Sequence, residues 1–402
     1  MTRSLLVLGA ATYQLDAIRL ARTIGLRVLT ADNVPTNPGH READAAFDVS
    51  TVDVDGILEL ARREHVSGII APATDVAVPT VASVCRQLAL PGPPVDVVQC
   101  ICSKIAFRGW QRDLHFPHPR WQVCQADRIE DVARAWGLEG SLPAVLKPNC
   151  SSGSKGVFKV SRSEEIQERH QESAAYSLDR QVLLEQFLPG HQGTAEGWLT
   201  DGRLALCVLT DRLIALPQSL GTIGHRVPTS LSGSEQTTVL TELKRLFERL
   251  GLTDGPFDVD YIVSDGVPVV LEVAVGVGGN FVTRLVRSAW GVDLTEAAIR
   301  FAVGETVVVS TPARMRPTAL QILGAATGGR LDYREAELKR LRSEPWLDWL
   351  ELDLPPGSVV RQFMNGRDRL GAFQVSADDR ETLSRRVDEV TQRLELRVET
   401  PL

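Results

Sequence analysis

The chain has 402 residues, 43% of them apolar and 24% charged, with a net charge of −7. That is the balance of a globular chain with room for two to four cores. The acidic balance gives no basic footprint for nucleic acid or an anionic membrane, and no apolar run nears the roughly 20 residues that span a bilayer. The opening MTRSLLVLGAATYQ reads as a strand entering a glycine turn and not as a signal peptide, because its apolar stretch is short. Six cysteines are scattered, and Cys100-Ile101-Cys102 has no matching Cys/His cluster. Structural zinc is therefore disfavoured, and reduced thiols in a cytoplasmic protein are expected.

Residues 4–9 read as a buried parallel strand, followed by a helix through Arg22 and a strand over Arg27–Ala31. Ala45–Val49, a helix over Asp55–Glu64 and the run Gly68–Pro72 continue a βαβ rhythm, which implies a right-handed parallel sheet. Gly9-Ala10-Ala11 is only a fragment of G-x-G-x-x-G, so a Rossmann-like scaffold without a nicotinamide cofactor is expected. Leu90-Pro91-Gly92-Pro93-Pro94 punctuates a boundary near residue 95. A helix then carries Lys104 and Arg108 at i and i+4, on one face that would ordinarily be a solvated basic one.

The stretch Ala144–Val160 is the most informative. A strand ends in Lys147-Pro148, the loop Ser151-Ser152-Gly153-Ser154-Lys155-Gly156 follows, and a second strand returns. Glycine lets backbone N–H groups approach oxygen, successive N–H groups form an anion nest, and lysines add charge, so the hairpin tip can fold over a polyphosphate. It is not a Walker A loop, since G-x-x-x-x-G-K-[ST] is missing and the loop opens no helix. After a polar helix within Ser161–Asp179, Val182–Phe187 is a strand running into a hinge at Leu188-Pro189-Gly190. Glu196–Leu199 opens a strand-rich region with a turn at Asp201-Gly202, and Thr222–Pro228 contains His225. Thr237–Leu250 is an amphipathic helix. Phe257–Val263 and Val267–Val273 form a hairpin around Ser264-Asp265-Gly266, which pairs Asp260 with Glu272 in a bed of Val and Ile. Carboxylates in such a bed need a cation, and oxygen ligands beside a phosphate loop suit Mg²⁺. From Pro317 a separate α+β cap is expected, with strands near Ala319–Leu323 and Val359–Phe363, a polar turn at Asn365–Gly371 and a last helix over Asp379–Leu394.

A lysine, a glycine-serine lid, a hinge and two carboxylates, in this order, resemble the ATP-grasp superfamily, in its carbamoyl-phosphate-synthetase-like, amino-acid ligase branch. The resemblance covers nearly the whole chain. It implies an α/β (α+β) ATP-grasp fold: a Rossmann-like domain at 1–95, a linker helix and lid at 96–190, a catalytic lobe at 191–310 and a cap at 311–402. It further implies ATP with Mg²⁺ (or Mn²⁺), small carboxylate and amine substrates, and a carboxylate–amine ligase working through an acyl phosphate, with a homodimer allowed. By the same resemblance Lys104 and Lys147 hold phosphates, Ser151 to Gly156 close over them, and Glu185, Gln186, Phe187 and Leu188 present backbone groups to adenine. Gln192 stands where a ribose-binding glutamate is common, and His225 faces the active centre.

Asp260 and Glu272 are the expected metal ligands. The family's Glu-x-Asn-x-Arg run is broken here, as Glu272-Val273-Ala274-Val275-Gly276. Alanine cannot coordinate a metal and glycine has no guanidinium fork. Asp258 and Asn280 are candidates to complete the metal shell, and Arg284 and Arg287 to replace the lost arginine. An accessory ATP-binding protein with weakened catalysis, an ATP-dependent carboxylase and a phosphoryl transferase on another acceptor are the competing readings.

Overall fold

The structure, a computed structural model, describes residues 3–138, 140–215 and 219–399. The first sheet holds β1 (Ser4–Leu8), β2 (Arg27–Ala31), β3 (Ala45–Phe47) and β4 (Gly68–Ile70) in the parallel order β3-β2-β1-β4. Every residue of β1 is buried, because alternate side chains enter different cores. Leu6 and Leu8 meet Ile57, Val81 and Val84 on one face. Leu5 and Val7 meet Ala17, Ile18 and Ala21 on the other, together with Ile299 and Ala302 of the helix Leu294–Ala302. A late helix therefore covers the first sheet and fixes that domain against the rest of the chain.

The lid is a four-stranded sheet, β5 (Trp121–Val123), β6 (Ala144–Pro148), β7 (Phe158–Val160) and β8 (Val182–Gln186), in the order β5-β8-β6-β7. Trp136, Leu146, Ile166 and Leu184 fill its core.

The largest sheet begins with β9 (His191–Thr200), β10 (Arg203–Ile214), β11 (Thr222–Val227), β12 (Gly255–Ser264) and β13 (Val267–Ala274). It continues through β14 (Thr318–Gly324), β16 (Leu347–Leu352) and β18 (Arg369–Ser376), in the order β13-β12-β9-β10-β11-β14-β18-β16. The cap strands thus extend the catalytic sheet and do not form a separate one, because β11 offers β14 an antiparallel edge. Only β15 (Gly329–Asp332), β17 (Val359–Val360) and β19 (Arg397–Glu399) form a small sheet of their own. The helix Gly233–Leu250 has a reciprocal Ser232/Glu235 cap and stops at Gly251, whose φ of 71° suits glycine. It buries Leu243, Leu246 and Phe247 against Phe257 and Val259 under the large sheet.

Candidate functional site

The floor of the site is two rows of side chains crossing β9, β12 and β13. One row is Thr194, Asp260, Glu272; the other is Glu196, Asp258, Ala274. Positions two apart on a strand share a face, so Asp258 and Asp260 look the same way. Between Asp260 and Tyr261 the pairing to β13 jumps from Glu272 to Val270, a bulge that leaves Leu271 without a cross-strand partner. The helix Lys104–Asp113 uses the freed carbonyls. Arg108 donates to Leu271 O (2.9 Å) and Gln111 to Val270 O (3.0 Å).

On one side lies a groove of about 120 Å³ between the lid and this floor. Its lining includes Lys104, Lys147, Ser151 to Lys155, Glu185 to Leu188, Gln192, Asp260 and Glu272. Lys147 Nζ lies 2.7 Å from Glu185 Oε2, and the fully buried Arg108 holds Glu185 Oε1 at 2.8 Å. Burial alone would raise Glu185, but the two cations hold it down at about 2. Burial lowers Lys147 to about 8, a shift the Arg108 charge favours and Glu185 opposes. Lys104 Nζ pairs with Glu272 Oε1 at 2.9 Å, and Arg212, a residue the sequence did not single out, lies 3.2 Å from Asp260 Oδ2. The base of the lid loop is pinned by Asn149, whose Oδ1 accepts from Ile105 N (2.9 Å) and Ser103 Oγ (3.1 Å). Gly153, Ser154 and Gly156 all have positive φ (67°, 58° and 72°), which turns the chain sharply at the tip.

The hinge is more restricted than its sequence suggested. The Gln186 amide donates to Arg120 O (2.8 Å) and the Phe187 amide to Pro143 O (3.2 Å), so neither is left for a base. The Glu185 carboxylate serves Lys147 and Arg108.

On the other side of Asp260 and Glu272 opens a larger cavity, of about 640 Å³. The first domain contributes Tyr13, Asp32 and Asp75, the lid Ser152 to Lys155, the sheet Asp258 and His225, and the cap Arg367 and Arg369. Glu196 is fully buried next to Asp258; it accepts from Gly278 N (3.0 Å), and its Oε2 meets no donor among the described residues. Burial raises Glu196 to about 7, against hydrogen bonds from Asp258 and the Gly278 amide that lower it, and burial together with the Glu196 charge raises Asp258 well above the usual aspartate range. Asp75 is raised to about 7 by burial and by Glu272. His225, 4% exposed, is hydrogen-bonded to Thr210 (3.1 Å) and lowered to about 3 by burial, so its ring is neutral and lacks the range of a general base at neutral pH. Asn280 lines the same cavity.

The two expected replacement arginines are placed elsewhere. Asn280 and Phe281 both adopt positive φ (52° and 61°), and the helix begins only at Val282. Arg284 is thereby turned to Asp16 and to Glu351 (3.2 Å), between the rings of Phe281 and Trp349. Arg287 is half exposed and pairs with Asp293 at 3.1 Å. Neither lines the groove or the large cavity. The cationic residues that do reach the large cavity are Lys155, Arg212, Arg367 and Arg369. The last two sit in the segment read only as a polar turn. Arg369 is held by Asp353 (2.6 and 2.8 Å) against the rings of Tyr13 and Phe281. Asp75 carries a legible signal, since it follows the C-terminal end of β4, where open α/β sheets place ligands.

The expected metal pair fits a hard cation. Asp260 and Glu272 line both cavities, and Mg²⁺ is ordinarily held by one or two carboxylates with phosphate oxygens and water. Among the described residues no group of three or more acidic, histidine or cysteine side chains is arranged to hold a metal alone.

Residues 140–284 match the ATP-grasp domain family, and residues 334–399 match the L-amino acid ligase C-terminal domain 2. The protein y4rH of Sinorhizobium fredii is 27% identical over 83% of this chain and 69% of its own length. Mouse carnosine synthase 1 is 25% identical over 75% of this chain, which spans only 40% of that relative. The structure of an L-amino acid ligase from Bacillus licheniformis superposes with a TM-score of 0.80 over 100% of this chain and 99% of that one, at 17% identity, a likeness of fold.

Proposed function

Because the chain is an ATP-grasp enzyme that carries an L-amino acid ligase C-terminal domain 2, we propose that it is an ADP-forming carboxylate–amine ligase acting on amino-acid or peptide-like substrates. One observation carries this reading: the lid-covered groove and the large cavity meet at Asp260 and Glu272, which line both. A nucleotide in the groove then presents its terminal phosphate to a carboxylate in the cavity, and the activated acyl group stays within reach of an amine there.

In this reading Lys104 and Lys147 position the phosphates, and the lid loop Ser151 to Gly156 excludes water. Asp260 and Glu272 hold Mg²⁺, which supplies charge neutralisation at the phosphate oxygens. Arg108 is a positioning residue, acting through Glu185 on Lys147. With Gly276 in place of the family arginine, the cations left beside the reacting carboxylate are Arg212, Lys155 and the two cap arginines.

The test is release of ADP and phosphate by the purified protein with ATP, Mg²⁺ and pooled L-amino acids, then with single pairs, followed by mass spectrometry of the product. An amide product with one ADP per bond supports the reading. Turnover that instead requires bicarbonate, or ADP release without any condensed product, overturns it.

A further inference from the structure

Among the described residues, six lysines and arginines line the groove or the large cavity, and only Lys155 and Arg212 line both. Lys155 rides on the tip of the lid loop, next to Ser154 with its positive φ. Arg212 stands on β10, inside the largest sheet. Thr210 pairs with Thr194 across β10 and β9, and Thr194 with Asp260 across β9 and β12. Arg212, two residues beyond Thr210, therefore lies on the face that carries Asp260. Its side chain is 12% exposed, and Nε donates to Thr222 Oγ1 at 2.8 Å, which fixes the guanidinium plane.

The outer edge of that guanidinium is free. Nη1 approaches Asp260 Oδ2 at 3.2 Å as an ion pair without hydrogen-bond alignment, and Nη2 meets no acceptor among the described residues. Neither nitrogen is sealed from the cavity. A planar fork with open N–H groups suits two anionic oxygens at once. The proposed reaction brings two anions together at this place. The bond from the γ-phosphorus of ATP to its bridging oxygen breaks, and ADP leaves with the electron pair. A carboxylate oxygen of the substrate forms the new bond to that phosphorus, and no proton moves. The charge gathered there needs a fixed cation. Gly276 brings none: it borders an apolar pocket with Pro72, Val78 and Phe257, which no lysine or arginine lines.

We propose that Arg212 is a catalytic residue, whose free guanidinium edge bridges the substrate carboxylate and the phosphoryl group in transit between groove and cavity. The assignment rests on the ligase reading for the identity of the two anions. It places the decisive charge on the rigid sheet and not on the lid, so that the reacting groups are held before and after the lid moves.

The experiment compares Arg212→Ala, Arg212→Lys and Lys155→Ala with the unaltered full chain. The readouts are ADP release at saturating substrates and calorimetric binding of a non-hydrolysable ATP analogue with Mg²⁺. Arg212→Ala should lower kcat about a hundredfold or more, while the affinity for the analogue stays within about threefold. Arg212→Lys restores the charge without the fork and should recover only part of the rate. Free guanidinium at millimolar concentration should raise the rate of Arg212→Ala and not that of Lys155→Ala, a rescue that a merely structural arginine would not show. If Arg212→Ala does not fold, Arg212→Gln, which keeps a donor for Thr222, carries the same comparison. A kcat within about threefold of the unaltered chain, or a loss that appears wholly as weaker analogue binding, overturns the proposal. So does a larger fall in kcat for Lys155→Ala than for Arg212→Ala. Turnover that requires bicarbonate sinks the ligase reading alone; the role of Arg212 then stands if ADP release still drops in Arg212→Ala, and falls if it does not.

Discussion

The two cavities that share Asp260 and Glu272 are built on opposite electrostatic plans. In the groove under the lid the charges of the floor and strands have partners in the chain: Lys104 with Glu272, Lys147 and Arg108 with Glu185, Arg212 with Asp260; Lys155 at the lid tip, which lines both cavities, forms no ion pair among the described residues. In the large cavity Asp258 and Asp75 have no ion pair among the described residues, nor do Lys155 and Arg367. A groove with its charges paired is preorganised and changes little when a nucleotide exchanges partners within it. A cavity lined by unpaired charge of both signs is tuned to a ligand that brings both signs. The first plan is a scaffold and the second a selector.

The largest expected effect tests the scaffold. Arg108→Ala leaves Glu185 buried beside a single cation and removes the donors to Leu271 O, so it should cost about 3–5 kcal/mol of stability, read by urea unfolding. A loss under 1 kcal/mol would mean that water enters and the pairing is not structural.

Lys147→Ala should separate fold from function. We expect a fall of about a hundredfold or more in kcat/KM for ATP, as for other contacts to a transferring group. The urea midpoint should move little, because lysine burial already offsets much of what its pairing contributes. Near-normal turnover would make the lysine a strut of the sheet.

The same residue predicts a pH dependence. Lys147 is depressed to about 8, below its unfolded value, so its ammonium is lost as pH rises through about 8 in the free enzyme. The affinity for phosphates should fall with it, and kcat/KM for ATP should decline above that pH. Between about 8 and the ordinary lysine range the unfolded chain binds more protons, so this group makes stability rise with pH while activity falls. Lys147→Arg, charged throughout, should move the activity limb to higher pH; an unmoved limb would assign it to another group.

The smallest effects concern the arginines outside both cavities. Arg284→Ala should cost stability, about 1–3 kcal/mol, through lost packing between Phe281 and Trp349 and an unpaired Asp16. Its kcat at saturating substrate should stay within a few fold. Arg287→Ala, exposed, should change stability by about 0.5 kcal/mol or less. Loss of kcat in either variant with ATP binding intact would reinstate them as catalytic.

Much of this was legible along the chain. The lysine strand, the glycine-serine lid and the Asp260–Glu272 hairpin are local features, written in periods of two and in turn residues, and such features fold where they are written. So was the βαβ start, because β1 is buried on both faces and reads as an unbroken apolar run. What the sequence could not decide was direction. The spacing of Lys104 and Arg108 would ordinarily make a solvated face, and only the family resemblance gave Lys104 a phosphate role; both are buried, because the folded chain brings Glu272 and Glu185 to them from 168 and 77 residues away. Arg284 and Arg287 follow the glycine run after Glu272 and were candidates to replace the lost arginine, but their helix starts only at Val282, after two residues with positive φ, and they pair with Asp16 and Asp293 away from the site. Arg369 looked like part of a surface turn until β18 joined the catalytic sheet through β14 and brought it to Tyr13. Propensity and pattern are set by near neighbours, and a side chain's role by the partner it meets. Wherever that partner lies on another strand or domain, only tertiary structure settles the role.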